Sequence, residues 1–398
     1  MEIFTCIDIL NHILSNLRIP SKISLLCTNK DLHACWKYIF IDTSVDLSLI
    51  IGSSFYDRYR NIIINDNISS EIKLPAYATH VSIQSSGHEI ELPQTVISIE
   101  SGYFFDVLFP MNLRSINIHE GLYNGFKFIN PTTLTKLSIW SDYATSKWKK
   151  IYNQFVNLTE LSILLISTKY IPLSVVELRF RPATDDPKTY KFNHLTNLRV
   201  LSITYDAFRG GFTNAIHYSI PKFIHTLSVH EFFDCKPLNI KSNIKHLTWI
   251  GDGCPSPYIH RNLESLMIDT SDFICVNTTR LQLHKLKKLK SLDISDTMFH
   301  YMYGGKFPPN LTNLSIQSDS ENNLTNVIPK TIKYLLIDGK LGSKTIIPPT
   351  VKTLELLSNR SINIKLLPKT LDKLILPVSL YRRYHKRLDR LNIEIIVT

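Results

Sequence analysis

The side chains best suited to bond making or metal binding in this 398-residue chain are its histidines and cysteines. Two groups lie close in sequence: His225, His230 and Cys235, then His246, Cys254 and His260. A structural zinc site needs a close ligand pair, such as C-x-x-C, answered by a second pair further on. Neither group has that spacing. No two of Cys6, Cys27, Cys35, Cys235, Cys254 and Cys275 form a C-x-x-C pair. The sequence also has no phosphate-cradling G-x-x-x-x-G-K-[ST], no G-x-G-x-x-G, no H-E-x-x-H and no G-x-S-x-G. Gly210-Gly211 and Gly304-Gly305 read as turns. We therefore expect no catalytic residue, no metal and no cofactor, and read the chain as a non-enzyme.

The elements that would carry any other site are repetitive. Residues 328–337 (IPKTIKYLLI), 347–356 (IPPTVKTLEL) and 367–376 (LPKTLDKLIL) share apolar residues three, six and eight places after a proline. Counting the proline as position 0, the frame starts at Pro75, Pro93, Pro110, Pro131, Phe155, Pro172, Leu195, Pro221, Lys241, His260, Leu286, Pro308, Pro329, Pro348 and Pro368. The mean step is about 21 residues, inside the range of leucine-rich repeats. Position +6 is aliphatic and position +3 apolar in every unit; position +8 is apolar in all but one, Ser101.

Apolar +6 and +8 alternating with polar +5 and +7 is the period of a strand with one buried face. One short strand per repeat, stacked in register, makes a parallel sheet. The remaining residues suffice for a crossover but not for a long helix. The expected fold is a leucine-rich-repeat-like solenoid: a parallel β-sheet with short irregular or 3₁₀ outer segments, plus a small α-helical N-terminal domain. The proline, unable to donate to a ladder, is expected to set the turn into each strand. A single repeat buries too little to fold alone, so stability must come from stacking.

The strand face turned away from that core is the candidate docking surface. Position +7 supplies Ser82, Ser138, Ser162, Ser202, Ser228, Thr248 and Ser315, a flat floor of small hydroxyls. Larger groups interrupt it: His119, Trp140, Glu160, Glu177, Arg179, Arg181, His230 and Asp293. Aromatics and arginines are frequent interface anchors. Trp140 is the leading candidate for contact with a protein target, with packing at a strand end as the other reading.

Composition is that of an ordinary folded chain, 44% hydrophobic and 20% charged. The net charge of +11 is spread along the sequence, with local runs at 147–150, 285–290 and 382–390. We read these as solvated repeat edges and a basic tail, and a nucleic-acid partner is not favoured. No apolar run reaches the length of a membrane span. The opening MEIFTCIDIL lacks a basic region and a cleavage site. A cytoplasmic chain with free thiols and no membrane partner is expected.

The ends differ from the middle. Residues 379–391 place Leu380, Tyr384, Leu388 and Leu391 at helical spacing amid basic residues, and residues 379–398 are read as a C-terminal cap. A phosphate-binding tail is the alternative. Residues 74–378 hold about fifteen repeats, and 41–73 are read as a junction and N-terminal cap. Within residues 1–40, Ile9, Leu10, Ile13, Leu14 and Leu17 fall on one helical face. Pro20 breaks it; Ile23, Leu25 and Leu26 continue, and Leu32, Trp36 and Phe40 form a third apolar helix. So small a unit is expected to dock on a partner or on the first repeats.

DILNHILSNL followed by KISLLCTNKDLHACW resembles an F-box, although Thr5-Cys6 stand where that motif usually opens with Leu-Pro. The resemblance implies that Ile9, Leu10, Ile13, Leu14, Leu17, Ile23, Leu26 and Trp36 bind a Skp-type adaptor of a cullin ubiquitin ligase. The repeats resemble leucine-rich repeats and the related FNIP repeats, whose I-P-x-[ST]-[VL]-x-x-L core stands at 171–178 and 347–354 and, with Ile332 in its fifth place, at 328–335. F-box and FNIP-repeat proteins occur in amoebae and their giant DNA viruses. The resemblance implies a substrate-recognition adaptor with an unknown protein target, working in the host cytoplasm if the chain is viral. A scaffold with no ligase link, its first forty residues a helical cap, is the rival reading. A nucleic-acid binder using the basic loops is a third.

Overall fold

In the computed structural model the described residues are 40–53, 56–65, 73–84, 90–102, 108–119, 127–128, 130–140, 154–165, 167–182, 189–204, 217–230, 243–251, 261–269, 283–295, 307–322, 328–341, 345–357 and 362–398, with Leu17, Ser21 and Ser24. The chain divides into two units, Met1–Val175 and Val176–Thr398. In the first unit the strands are β1 (Val45–Asp46), β2 (Asn61–Ile64), β3 (His80–Ile83), β4 (Ser98–Ser101), β5 (Leu108–Phe109), β6 (Ser115–Ile118), β7 (Lys127–Phe128), β8 (Lys136–Ile139) and β9 (Glu160–Leu165). In the second they are β10 (Glu177–Pro182), β11 (Thr189–Lys191), β12 (Val200–Thr204), β13 (His217–Ser219), β14 (Thr226–His230), β15 (His246–Ile250), β16 (Ser265–Asp269), β17 (Ser291–Ser295), β18 (Asn313–Asn322), β19 (Tyr334–Leu341), β20 (Thr353–Leu356), β21 (Lys373–Leu376) and β22 (Glu394–Val397), and the helix among the described residues is α1 (Val378–Leu388).

Every +6 residue pairs directly with the next +6 residue within its unit. In the first unit the column is Val81, Ile99, Ile116, Leu137 and Leu161. In the second it runs from Leu178 through Leu201, Leu227, Leu247, Leu266, Leu292, Leu314, Leu335 and Leu354 to Leu374. All pairings are parallel, and all fifteen +3, +6 and +8 side chains are buried, Ser101 included. The fold is thus a leucine-rich-repeat-like parallel solenoid. One residue of slip would turn each aliphatic column outward, so burial itself holds the register.

The ladder extends beyond the proline frame at both ends. Val45 pairs with Ile62 and Ile62 with Val81, so Val45–Asp46 and Asn61–Ile64, in the expected junction, join the ladder. Tyr56 stands at position 0 there, with Tyr59, Ile62 and Ile64 buried at +3, +6 and +8. At the other end α1 buries Leu380 and Leu388, and the chain then returns as β22, pairing Ile395 with Leu374.

The turn into each strand has a fixed hydrogen-bond pattern. The position 0 carbonyl accepts from the +3 amide, as in Pro110 to Leu113 (3.3 Å) and Pro368 to Leu371 (3.1 Å). Proline needs no donor there, which is why it is favoured. The +4 carbonyl then accepts two amides of the following repeat. Lys290 O takes Thr312 N at 3.0 Å and Asn313 N at 2.9 Å; Lys333 O takes Lys352 N at 2.8 Å and Thr353 N at 3.0 Å. Both lone pairs of one oxygen are used, so buried backbone groups are satisfied between repeats. Among the described residues the outer side holds 3₁₀ turns, including Pro131–Thr133, Thr168–Tyr170 and Ile364–Leu366, and two short parallel pairs, β5 with β7 and β11 with β13. Behind β10, Phe180 packs against Tyr190 and Phe192 with ring centroids 5.5 Å apart. Burial pushes the Tyr190 hydroxyl up to about 12.

Candidate docking face

The residues at +5, +7 and +9 lie opposite the core because strand side chains alternate. In the first unit the +7 row is Ser82, Glu100, Asn117, Ser138 and Ser162. His119 and Trp140 extend it on neighbouring repeats: the Trp140 amide donates to Ile118 O at 3.2 Å. His119 is exposed; its Nε2 lies 3.6 Å from Glu100 Oε1 and 3.3 Å from Asn117 Nδ2. Trp140 is half-buried. Glu160 forms an ion pair with Lys136 on the adjacent strand at 2.7 Å.

In the second unit Glu177, Arg179 and Arg181 share β10. Arg179 Nε and Nη2 both approach Glu177 Oε1 at 2.7 Å, a pair within one strand. Arg181 is half-buried. His230 ends β14 with Nε2 2.9 Å from Ser228 Oγ, and burial lowers its pKa. A histidine so placed is held toward the neutral form. Asp293 lies three strands further on, between Met267 and Ser315. Burial is the main cause that raises its carboxyl, a hydrogen bond to Ser315 opposes the rise, and nearby Asp269 adds to it. At about 4.8 Å per strand, His230 and Asp293 are roughly 14 Å apart along the stack. The side chains singled out from sequence thus form neighbouring pairs and trios, and do not converge on a point.

The +7 row changes character along the second unit. Ser202, Ser228 and Thr248 give way to Met267, and later to Leu336, Ile375 and Ile396. These apolar side chains are half-buried, and Leu357 beside them is 47% exposed. Glu355 interrupts them and accepts a hydrogen bond from the Tyr334 hydroxyl. Burial first, then that bond, pushes Tyr334 up to about 12. The expectation of a polar +7 row missed this stretch, although its residues stand in the +7 column of the frame.

The adaptor-binding candidates Ile9, Leu10, Ile13, Leu14, Ile23, Leu26 and Trp36 lie outside the described residues. Leu17 is described, and it is half-buried in a bend. Among the described residues no three His, Cys, Asp or Glu side chains gather as metal ligands. Among them, too, no helix is long and apolar enough to cross a membrane.

No protein-family model matches the chain, and no curated protein does. The chain is similar to the solved structure of CroV588, described as a novel circular LRR protein, at 15% identity and a TM-score of 0.40. The similarity covers 86% of this chain and 66% of that one. The parallel solenoid stands on the strand register given above.

Proposed function

We propose that this chain is a non-enzymatic interaction protein that holds a protein target on the open face of its sheet. One observation supports this most: the +7 side chains stand in register along each unit, half-buried except for the exposed Glu100 and Arg179, on a ladder whose backbone bonds are already made. A reaction centre needs titratable groups around one point. Here Glu177 with Arg179, Lys136 with Glu160, and His119 with Glu100 are separate pairs. A surface passing from hydroxyls to Leu336, Ile375 and Ile396 has the mixed polar and apolar makeup of protein interfaces.

The finer reading adds residues 1–40 as an F-box that engages a Skp-type adaptor and its cullin ligase in the cytoplasm. The chain would then act by recruitment, raising the effective concentration of its target at the ligase. Its support is the spacing of Ile9, Leu10, Ile13, Leu14, Leu17, Ile23, Leu26 and Trp36.

Affinity purification with mass spectrometry tests both parts. The intact chain is expected to recover adaptor, cullin and target. Leu14→Asp with Leu17→Asp should lose the adaptor and cullin and keep the target. Trp140→Ala with Arg179→Ala should do the reverse. An intact chain that holds a target but no adaptor overturns the ligase link alone. A chain that holds no protein overturns both.

A further inference from the structure

The turn edge of the second unit carries a groove unrelated to the open sheet face. Its volume is about 1010 Å³, and it crosses the corners that lead into β17, β18, β19 and β20. Six lysines line it, Lys287, Lys288, Lys290, Lys330, Lys333 and Lys352, against one carboxylate, Glu264. Glu264 is itself committed to Lys245 at 3.1 Å, and that contact lowers its pKa.

The repeat explains the arrangement. Positions +1, +2 and +4 flank each corner, so lysines placed there on successive turns fall into rows along the stack, about 4.8 Å per turn. Lys288 is held by Asn262 Oδ1 at 2.9 Å, and Lys352 lies 3.4 Å from Asp372. Among the described residues Lys287, Lys330 and Lys333 have no carboxylate partner. Thr331 and Thr350 also line the groove, and neither hydroxyl makes a hydrogen bond among the described residues. The groove therefore presents uncompensated positive charge beside free hydroxyls, along a line and not at a point.

We infer that this groove binds an extended, carboxylate-rich peptide segment of a partner protein. The inference rests on the reading of the chain as an interaction protein and gives one partner segment its chemistry. Lysine is a compact point charge that suits scattered carboxylates. Single-stranded nucleic acid is disfavoured, because its binding sites stack bases on aromatic rings and no aromatic side chain or arginine lines the groove.

The test is fluorescence anisotropy on the full chain. The probes are a labelled Asp/Glu-rich 14-residue peptide, its Asn/Gln counterpart, and 20-residue single-stranded and duplex nucleic acids. The acidic peptide is expected to bind, to weaken as salt rises, and to bind at least tenfold better than the neutral one. Lys330→Glu with Lys333→Glu should weaken it at least tenfold. Arg383→Glu with Lys386→Glu, the same charge change on α1, should alter it less than twofold. Circular dichroism and melting confirm that both variants fold. Tighter binding of either nucleic acid, equal loss in both variants, or no binding of the acidic peptide overturns the inference. If the acidic peptide is ignored while a target still binds the open face, this inference falls and the interaction reading stands. If no protein partner is recovered at all, it is the interaction reading that falls.

Discussion

The hydroxyl of Thr133 donates to the carbonyl oxygen of Leu113, one repeat earlier, at 2.9 Å. Thr133 stands at +2, and it also lies 3.0 Å from Met111 O. Thr95 reaches Ala78 O at 2.8 Å and Ser174 reaches Leu158 O at 2.7 Å in the same way. At these turns the +2 hydroxyl thus ties a repeat to the one before it. Thr133→Val keeps the shape and removes the donor. It should cost about 1–2 kcal/mol, since part-buried carbonyls lose a partner. Urea denaturation would measure it; an unchanged midpoint would contradict the role.

The three buried columns were legible because each aliphatic recurs at fixed distances from a turn. The +2 tie was half legible: Thr331, Thr350 and Thr370 belong to the quoted motif, but spacing alone does not tell that Thr370 reaches Pro349 O while Thr331 and Thr350 make no such bond among the described residues. The forked carbonyl at +4 could not be read, because main-chain oxygens are alike in every residue. Strand β2 was missed because Tyr56 replaces the proline that marked the frame. On the face, the charged residues were found but their pairing was not. Glu177 and Arg179 neutralise each other through a two-residue strand spacing that the repeat frame does not express.

Leu314 is fully buried between Leu292 and Leu335. Leu314→Ala should cost about 2–5 kcal/mol, the usual range for a leucine truncated in a core. Ile395→Ala, in the half-buried β22, should cost less. Chemical denaturation of both variants checks the order. An equal cost would mean that burial does not set stability along the stack.

Asp293 gives a pH-dependent prediction. Its folded pKa is raised, chiefly by burial. Its contribution to stability is therefore fully present below the unfolded value near 3.8 and lost as pH rises through the folded pKa. Asp293→Asn should raise the melting temperature at pH 7, and the difference should vanish as pH falls below about 4. A variant less stable than the parent at pH 7 would contradict this sign.

Deleting residues 378–398 should destabilise the second unit and expose Leu371, Leu374 and Leu376. The leucines lost from α1, Leu380 and Leu388, are both buried. At about 1.5–3 kcal/mol each, their removal costs about 3–6 kcal/mol. Exposed parallel edges also associate, so light scattering should rise with concentration. A truncated chain that melts like the parent and stays monomeric would show that α1 and β22 do not cap the stack.

Register is tested most directly by cross-linking on the open face. Ser315 and Leu336 are direct partners on β18 and β19, and Glu355 is one strand further. Partners on adjacent strands are about 4.8 Å apart, within disulfide reach, whereas two strands apart is beyond it. Oxidation of the Ser315→Cys, Leu336→Cys variant should give the linked peptide by mass spectrometry, and Ser315→Cys with Glu355→Cys should not. A bridge in the second variant, or none in the first, would contradict the in-register parallel ladder.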